Sequence, residues 1–168
     1  MDRIDVGGYR LAYRRGGAEA GTPVIFLSSQ GAPVSDWFET IELLSEPIQW
    51  LVYNRAGTGN SDRRPETATH GYRVRTDELA RLVTALGFPT PAVIVGHSIG
   101  ALVARDLAHT RSAIVMGLVL VESSFDGLTP TPTDEPFQVY DGRELLDGAD
   151  GAADLSGPSN RRRCRPRS

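Results

Sequence analysis

One pentapeptide in this chain, Gly96-His97-Ser98-Ile99-Gly100, has the residue types and spacing of a hydrolytic site. It joins an apolar run, Ala92 to Val95, to an apolar helical stretch, Ala101 to Ala108. Glycines on either side of a serine let the backbone turn sharply from strand to helix and leave the serine at the tip, the arrangement called a nucleophile elbow. A hydroxyl placed there can attack a carbonyl carbon, and the helix N-terminus behind it favours the negative charge that develops on oxygen. The hydroxyl is a weak nucleophile until a base takes its proton, and an acid in turn orients the base. The motif therefore calls for a histidine and a carboxylate elsewhere in the chain.

Three histidines are available. His109 stands eleven positions beyond Ser98 on the same helix. At a rise of 1.5 Å per residue it is about 16 Å away and cannot reach back. His97 adjoins the serine, but its side chain is expected to point away from the tip. His70 lies in the loop before the Asp77 helix, on the strand-end side, and is the one histidine with a path to the site. The competing reading of His70 is an ordinary surface-loop histidine. For the acid, Glu122 follows the last buried strand. Its competing reading is a solvated strand-end carboxylate, since an acid with no histidine to orient does no catalytic work. Arg55 reads as a residue that hydrogen-bonds neighbouring loops, and Trp37 and Trp50 read as packing residues.

The elements that must position these residues follow from the apolar periodicity. Ile4 to Arg15 reads as two short strands with a turn at Gly7-Gly8. Val24 to Leu27 is a buried strand, and Asp36 to Leu44 a helix capped by Ser35, with Trp37, Ile41 and Leu44 on its apolar face. Trp50 to Tyr53 is the next buried strand. Asp77 to Leu86 is an amphipathic helix ended by Gly87 and Pro89. The elbow strand and helix come next, and Val115 to Val121 is a final buried strand. This alternation predicts an α/β fold with a mostly parallel sheet, whose ligand site lies at the carboxyl ends of the strands. Ser98, Gln30-Gly31, Asn54-Arg55 and Glu122 all fall at such ends.

Beyond about Asp126 the pattern fails. Thr129 to Pro136 is too rich in proline for regular structure, and Phe137 to Leu146 reads as one weak helix. Asp147 to Ser168 has almost nothing to bury and reads as disordered. The expected organisation is a partial domain over residues 1–126 and a low-complexity tail over 127–168. An out-of-frame origin for the tail is a further expectation, drawn from the abrupt change of pattern.

The chain has 168 residues, 40% hydrophobic and 23% charged, with a formal net charge of −3. All 18 basic residues are arginine, and five of them lie in the last eight positions. The body is therefore acidic, which argues against nucleic acid as a partner. The single cysteine, Cys164, excludes an internal disulfide. The charged start, Met1 to Val6, lacks the apolar core of a signal peptide, and no apolar run has the ~20 residues a membrane span needs. A cytoplasmic protein with no membrane association is expected.

With the elbow placed, two more motifs complete a resemblance to the α/β-hydrolase superfamily over residues 4 to about 125. Tyr53 to Asp62, Tyr-Asn-Arg-Ala-Gly-Thr-Gly-Asn-Ser-Asp, resembles the family's D-x-P-G-x-G-x-S-type loop after the fourth strand. Phe26 to Gly31 followed by Trp37 resembles the third strand and its oxyanion loop, with Gln30 where the family usually has histidine. The resemblance implies Ser98 as nucleophile and the backbone N–H groups of Ile99 and Ala32 as the oxyanion hole. It implies a small-molecule ester, thioester or related acyl substrate, with no cofactor and no metal. It also implies an acid and then a histidine after the elbow. Glu122 stands where some members carry the acid, and no credible histidine follows. The last two strands of the family are expected to be absent, leaving 115–121 as an open sheet edge. Two other readings stay open: a truncated or degenerate copy without catalysis, and an acyltransferase.

Overall fold

The computed structural model describes residues 1–65 and 72–121 and the strand Phe137–Asp141. In chain order the elements are β1 (Asp2–Asp5), β2 (Arg10–Gly17), β3 (Thr22–Leu27), a 3₁₀ turn (Val34–Trp37) running into α1 (Phe38–Leu43), β4 (Ile48–Tyr53), α2 (Tyr72–Leu86), β5 (Ala92–His97), α3 (Ile99–Thr110), β6 (Val115–Val121) and β7 (Phe137–Asp141). They form one sheet in the order β1-β2-β4-β3-β5-β6-β7. The four central strands are mutually parallel, and β1, β2 and β7 pair antiparallel. This is the α/β architecture the sequence predicts.

Buried central strands are apolar on both faces because helices cover both. On one face Leu11, Ile25, Leu51, Ile94 and Leu118 meet Leu79 and Leu82 of α2 and Leu107 of α3. On the other, Val24, Phe26 and Val52 pack against Val34 and Trp37, with Phe38 and Ile41 at the margin. Trp37 tilts against Phe26 at 5.2 Å between ring centroids, and Trp50 packs near Phe38 at 6.3 Å. Both tryptophans are thus packing residues. The second face has the thinner cover: α1 has six residues, and Val93 and Val95 of β5 stay half-buried.

Five expectations are corrected. Ser35 is not a helix cap: the chain enters α1 through the 3₁₀ turn, whose N-cap is Pro33, with no side-chain capping bond. Leu44 lies outside the apolar face of α1, and Leu43 and Leu44 are 78% and 44% exposed. The helix α2 starts at Tyr72, five residues before Asp77, because the polar residues of its first turn hide its start. The stretch from Phe137 is a strand to Asp141 and not a helix, as its period-2 alternation of Phe137, Gln138 and Val139 favours. That strand pairs with β6 from Val121↔Phe137 to Gly117↔Asp141, so the 115–121 edge is occupied where an open edge was expected. The rest of the expected tail, like His70 and Glu122, lies outside the described residues.

The burial contrast yields a test. Leu79 is fully buried, so Leu79→Ala should cost about 2–5 kcal/mol in urea denaturation. Leu43→Ala, at an exposed position, should change stability by less than about 0.5 kcal/mol.

Candidate functional site

The turn between β5 and α3 puts Ser98 at φ +53° and ψ −116°, and Ser98 is the non-glycine residue with positive φ among the described residues. A side chain in that region carries strain of order 1–3 kcal/mol, which the surroundings must hold in place. The Ser98 N–H donates to the Val121 carbonyl at 3.0 Å, and the Ala101 N–H donates to the Ser98 carbonyl at 2.9 Å. The flanking glycines are required by space. A Cβ on Gly96 would lie 2.6 Å from the carbonyl of Gly100, and one on Gly100 would run into the Leu27 carbonyl oxygen. The helix thus lies directly on the backbone of β3. Ile99 opens α3, so its N–H has no acceptor within the helix.

The loop after β3 passes beside this turn. Gly31 has φ +74°, and the Ala32 N–H reaches the Ser29 carbonyl at 3.4 Å, the long limit of a hydrogen bond. Arg55, from the loop after β4, donates through Nη1 to the Ser28 carbonyl and through Nη2 to the Ser29 carbonyl, each at 2.6 Å. Burial depresses the Arg55 pKa below its ordinary value. Arg55 is therefore the loop-bonding residue its sequence position suggests. A cavity of about 140 Å³ on the α1 side is lined by Ser28, Ser29, Ala32, Asp36, Trp37, His97 and Val121. His97 shares its strand face with the half-buried Val93 and Val95, and His109 is exposed in the last turn of α3.

The loop after β4 is pinned on two sides. Towards the sheet edge, the Ala12 N–H donates to Ser61 Oγ at 2.8 Å, Ser61 Oγ donates to the Asn54 carbonyl at 2.6 Å, and the Arg10 N–H donates to Asp62 Oδ2 at 2.9 Å. Arg3 and Asp62 form an ion pair. Towards α2, the fully buried Glu78 accepts from Arg64 Nη2 at 2.8 Å, from Tyr9 Oη at 3.2 Å and from the Ala56 N–H at 3.2 Å. The Tyr53 hydroxyl is buried nearby and meets no hydrogen-bond partner among the described residues. Burial, and then the Glu78 charge, push its pKa well above the ordinary phenol value. The sequence reading missed Glu78. The available signal was a carboxylate one turn before Leu82, on the apolar stripe of α2.

The structure therefore brings Ser98, Ile99 and the Ala32 loop to one edge of the sheet. Among the described residues no group of three or more His, Cys, Asp or Glu could hold a metal ion, and no helix is long and apolar enough to cross a membrane. A strand–turn–helix elbow at the carboxyl edge of a sheet that is parallel at its centre defines a class of fold. The chain belongs to the alpha/beta hydrolase family, whose model matches residues 24–166. It is 30% identical over 139 residues to "Probable transporter efuK" of Hormonema carpetanum, covering 79% of this chain and 20% of that protein. It is 33% identical over 104 residues to "Putative carbamate hydrolase RutD" of Azorhizobium caulinodans, covering 61% of this chain and 37% of that protein. The solved enol-lactonase of Burkholderia xenovorans LB400 shares the fold with a TM-score of 0.63 at 24% identity, over 70% of this chain and 45% of that one. The chain thus spans less than half the length of each of these relatives.

Substitutions at two positions test the site's energetics. Ser98→Gly removes backbone strain and should raise stability by about 1 kcal/mol, after the loss to glycine's freedom in the unfolded chain, whereas Ser98→Ala should not. Tyr53→Phe removes a buried hydroxyl without a partner among the described residues and should be neutral or stabilising by up to about 1 kcal/mol. Because folding raises the Tyr53 pKa, this group leaves stability unchanged by pH below its unfolded value near 10 and lowers it as pH rises above that value, where the unfolded chain ionises first. Alkaline unfolding curves should therefore be shallower for Tyr53→Phe than for the parent chain.

Proposed function

We propose that this chain carries the nucleophile and oxyanion part of a serine hydrolase acting on an ester, thioester or related acyl substrate. The observation that carries the reading is the backbone of Ser98, held at positive φ where β5 turns into α3. Strain of this kind at a non-glycine residue marks functional turns, and two glycines with no room for a side chain preserve it here. The enol-lactonase fold and the carbamate hydrolase name among the relatives support the same chemistry, attack at an acyl carbonyl.

In this reading Ser98 Oγ bonds to the substrate carbonyl carbon and gives up its proton, and the carbonyl oxygen becomes an oxyanion. The Ile99 N–H, at the start of α3, and the Ala32 N–H donate hydrogen bonds to that oxyanion. The Ala32 N–H would exchange its long bond to Ser29 for the oxyanion. Loss of one such donor typically costs about 10²–10³ in rate. Collapse expels the alkoxide or thiolate, which takes a proton, and leaves an acyl ester on Ser98. Water then releases the acid, or a second nucleophile accepts the acyl group in the acyltransferase variant. The substrate is a small molecule, with no nucleic acid or membrane required, and a cytoplasmic setting fits the same reading.

The proton acceptor is not among the described residues. His109 is a whole helix away from Ser98, and His97 lies on the sheet face towards α1. His70 and Glu122 remain the candidates for base and acid. The placement of His97 on the α1 side and of His109 at the far end of α3 favours the second reading, a copy that folds without catalysing. A fluorophosphonate probe separates the two. The active reading expects covalent labelling of the native chain at Ser98, turnover of p-nitrophenyl acetate, and loss of both in Ser98→Ala. Equal turnover by parent and Ser98→Ala, with no label on Ser98, establishes the inactive reading.

A further inference from the structure

We infer that Arg55 is a positioning residue for the loop that carries the Ala32 N–H, and that the buried Glu78 anchors it; this rests on the reading of Ser98 as nucleophile. The strand β3 ends at Leu27, and its last pairing is with Gly96. Beyond that point the loop's own backbone closes one turn, the long bond from Ala32 to Ser29. A turn held at 3.4 Å is too weak to fix a donor against the charge of a transition state.

The missing constraint comes from the neighbouring loop. The Arg55 guanidinium grips two consecutive carbonyls, Ser28 and Ser29, through two different nitrogens at 2.6 Å. Peptide units are planar, so fixing two successive carbonyls fixes the planes that lead into Ser29 and Gln30, at the start of the loop. A planar guanidinium is preorganised for this, with two donors at a set spacing, whereas a lysine ammonium is a compact point charge without that fork. Arg55 is itself held at the backbone. Its carbonyl accepts the Thr58 N–H at 2.9 Å and Thr58 Oγ1 at 2.7 Å, and the next N–H, of Ala56, donates to Glu78 Oε1. The other oxygen of Glu78 is occupied by Arg64 and Tyr9. A continuous set of hydrogen bonds thus leads from a carboxylate sealed under α2 to the loop beside Ser98.

The test uses the full chain with Arg55→Lys and Arg55→Ala. Two readouts are taken: hydrogen exchange by mass spectrometry over residues 28–36 and over α3, and kinetics with p-nitrophenyl acetate and the fluorophosphonate probe. The expected result for both variants is exchange over 28–36 faster by about tenfold or more, with α3 unchanged. The expected kinetic result is kcat and labelling rate lower by about 10–100-fold, with KM within about twofold, because the loss falls on the transition state. Free guanidinium ion, at concentrations below those that loosen the fold, should restore part of the rate to Arg55→Ala and none to Arg55→Lys. Unchanged exchange over 28–36, or a rise spread equally over α3, overturns the inference. If the parent chain is not labelled at Ser98, the hydrolase reading fails by itself, and the exchange arm still decides whether Arg55 holds the loop.

Discussion

Gly100 brings its α-carbon against the carbonyl of Leu27, and the space available there is smaller than a methyl group. This contact sets the depth at which α3 lies on the sheet. It places the start of the helix level with the end of β3, so the loop after β3 and the first turn of α3 share one edge. The turn that makes the approach possible must be tight, and its tightness forces Ser98 out of ordinary backbone space. The site geometry is thus a by-product of close helix–sheet packing.

A second constraint acts from below. Three segments that are distant in sequence, the β1–β2 turn, the loop after β4 and helix α2, converge on the Glu78 carboxylate. Removing a buried carboxylate from its partners is expensive, so Glu78 ties the three segments together. The loop after β4 is fastened on its outer side as well, through Ser61 and Asp62 to β2. It therefore bridges the sheet edge and the loop after β3, which it reaches through Arg55.

The central strands and α3 were legible because continuous apolar runs bounded by glycine and proline have few alternative readings. Val115 to Val121 appears in the structure with the bounds its composition suggests. Ser98 was legible because a turn this tight demands glycine on both sides. Other features rest on contacts that no local pattern encodes. The role of Glu78 depends on Arg64 and Tyr9, far apart in sequence, and β7 depends on an unpaired neighbour that a five-residue segment can satisfy. The entry to α1 was misread because a serine before a helix was taken as a cap, while the chain turns first through a 3₁₀ segment. The links from Arg55 to Ser28 and Ser29 bridge 27 and 26 positions, a distance at which spacing carries no information.

The thin cover on the α1 face has an optical consequence. The chain holds two tryptophans, and both Trp37 and Trp50 belong to that layer. The thicker layer of α2 and α3 contains none. Intrinsic fluorescence therefore reports on one side of the sheet, while far-ultraviolet circular dichroism is dominated by the helices on the other. The molecule is its own two-channel sensor: a shift in emission without loss of ellipticity marks an event confined to the α1 layer, and a coincident change in both marks loss of the whole sheet.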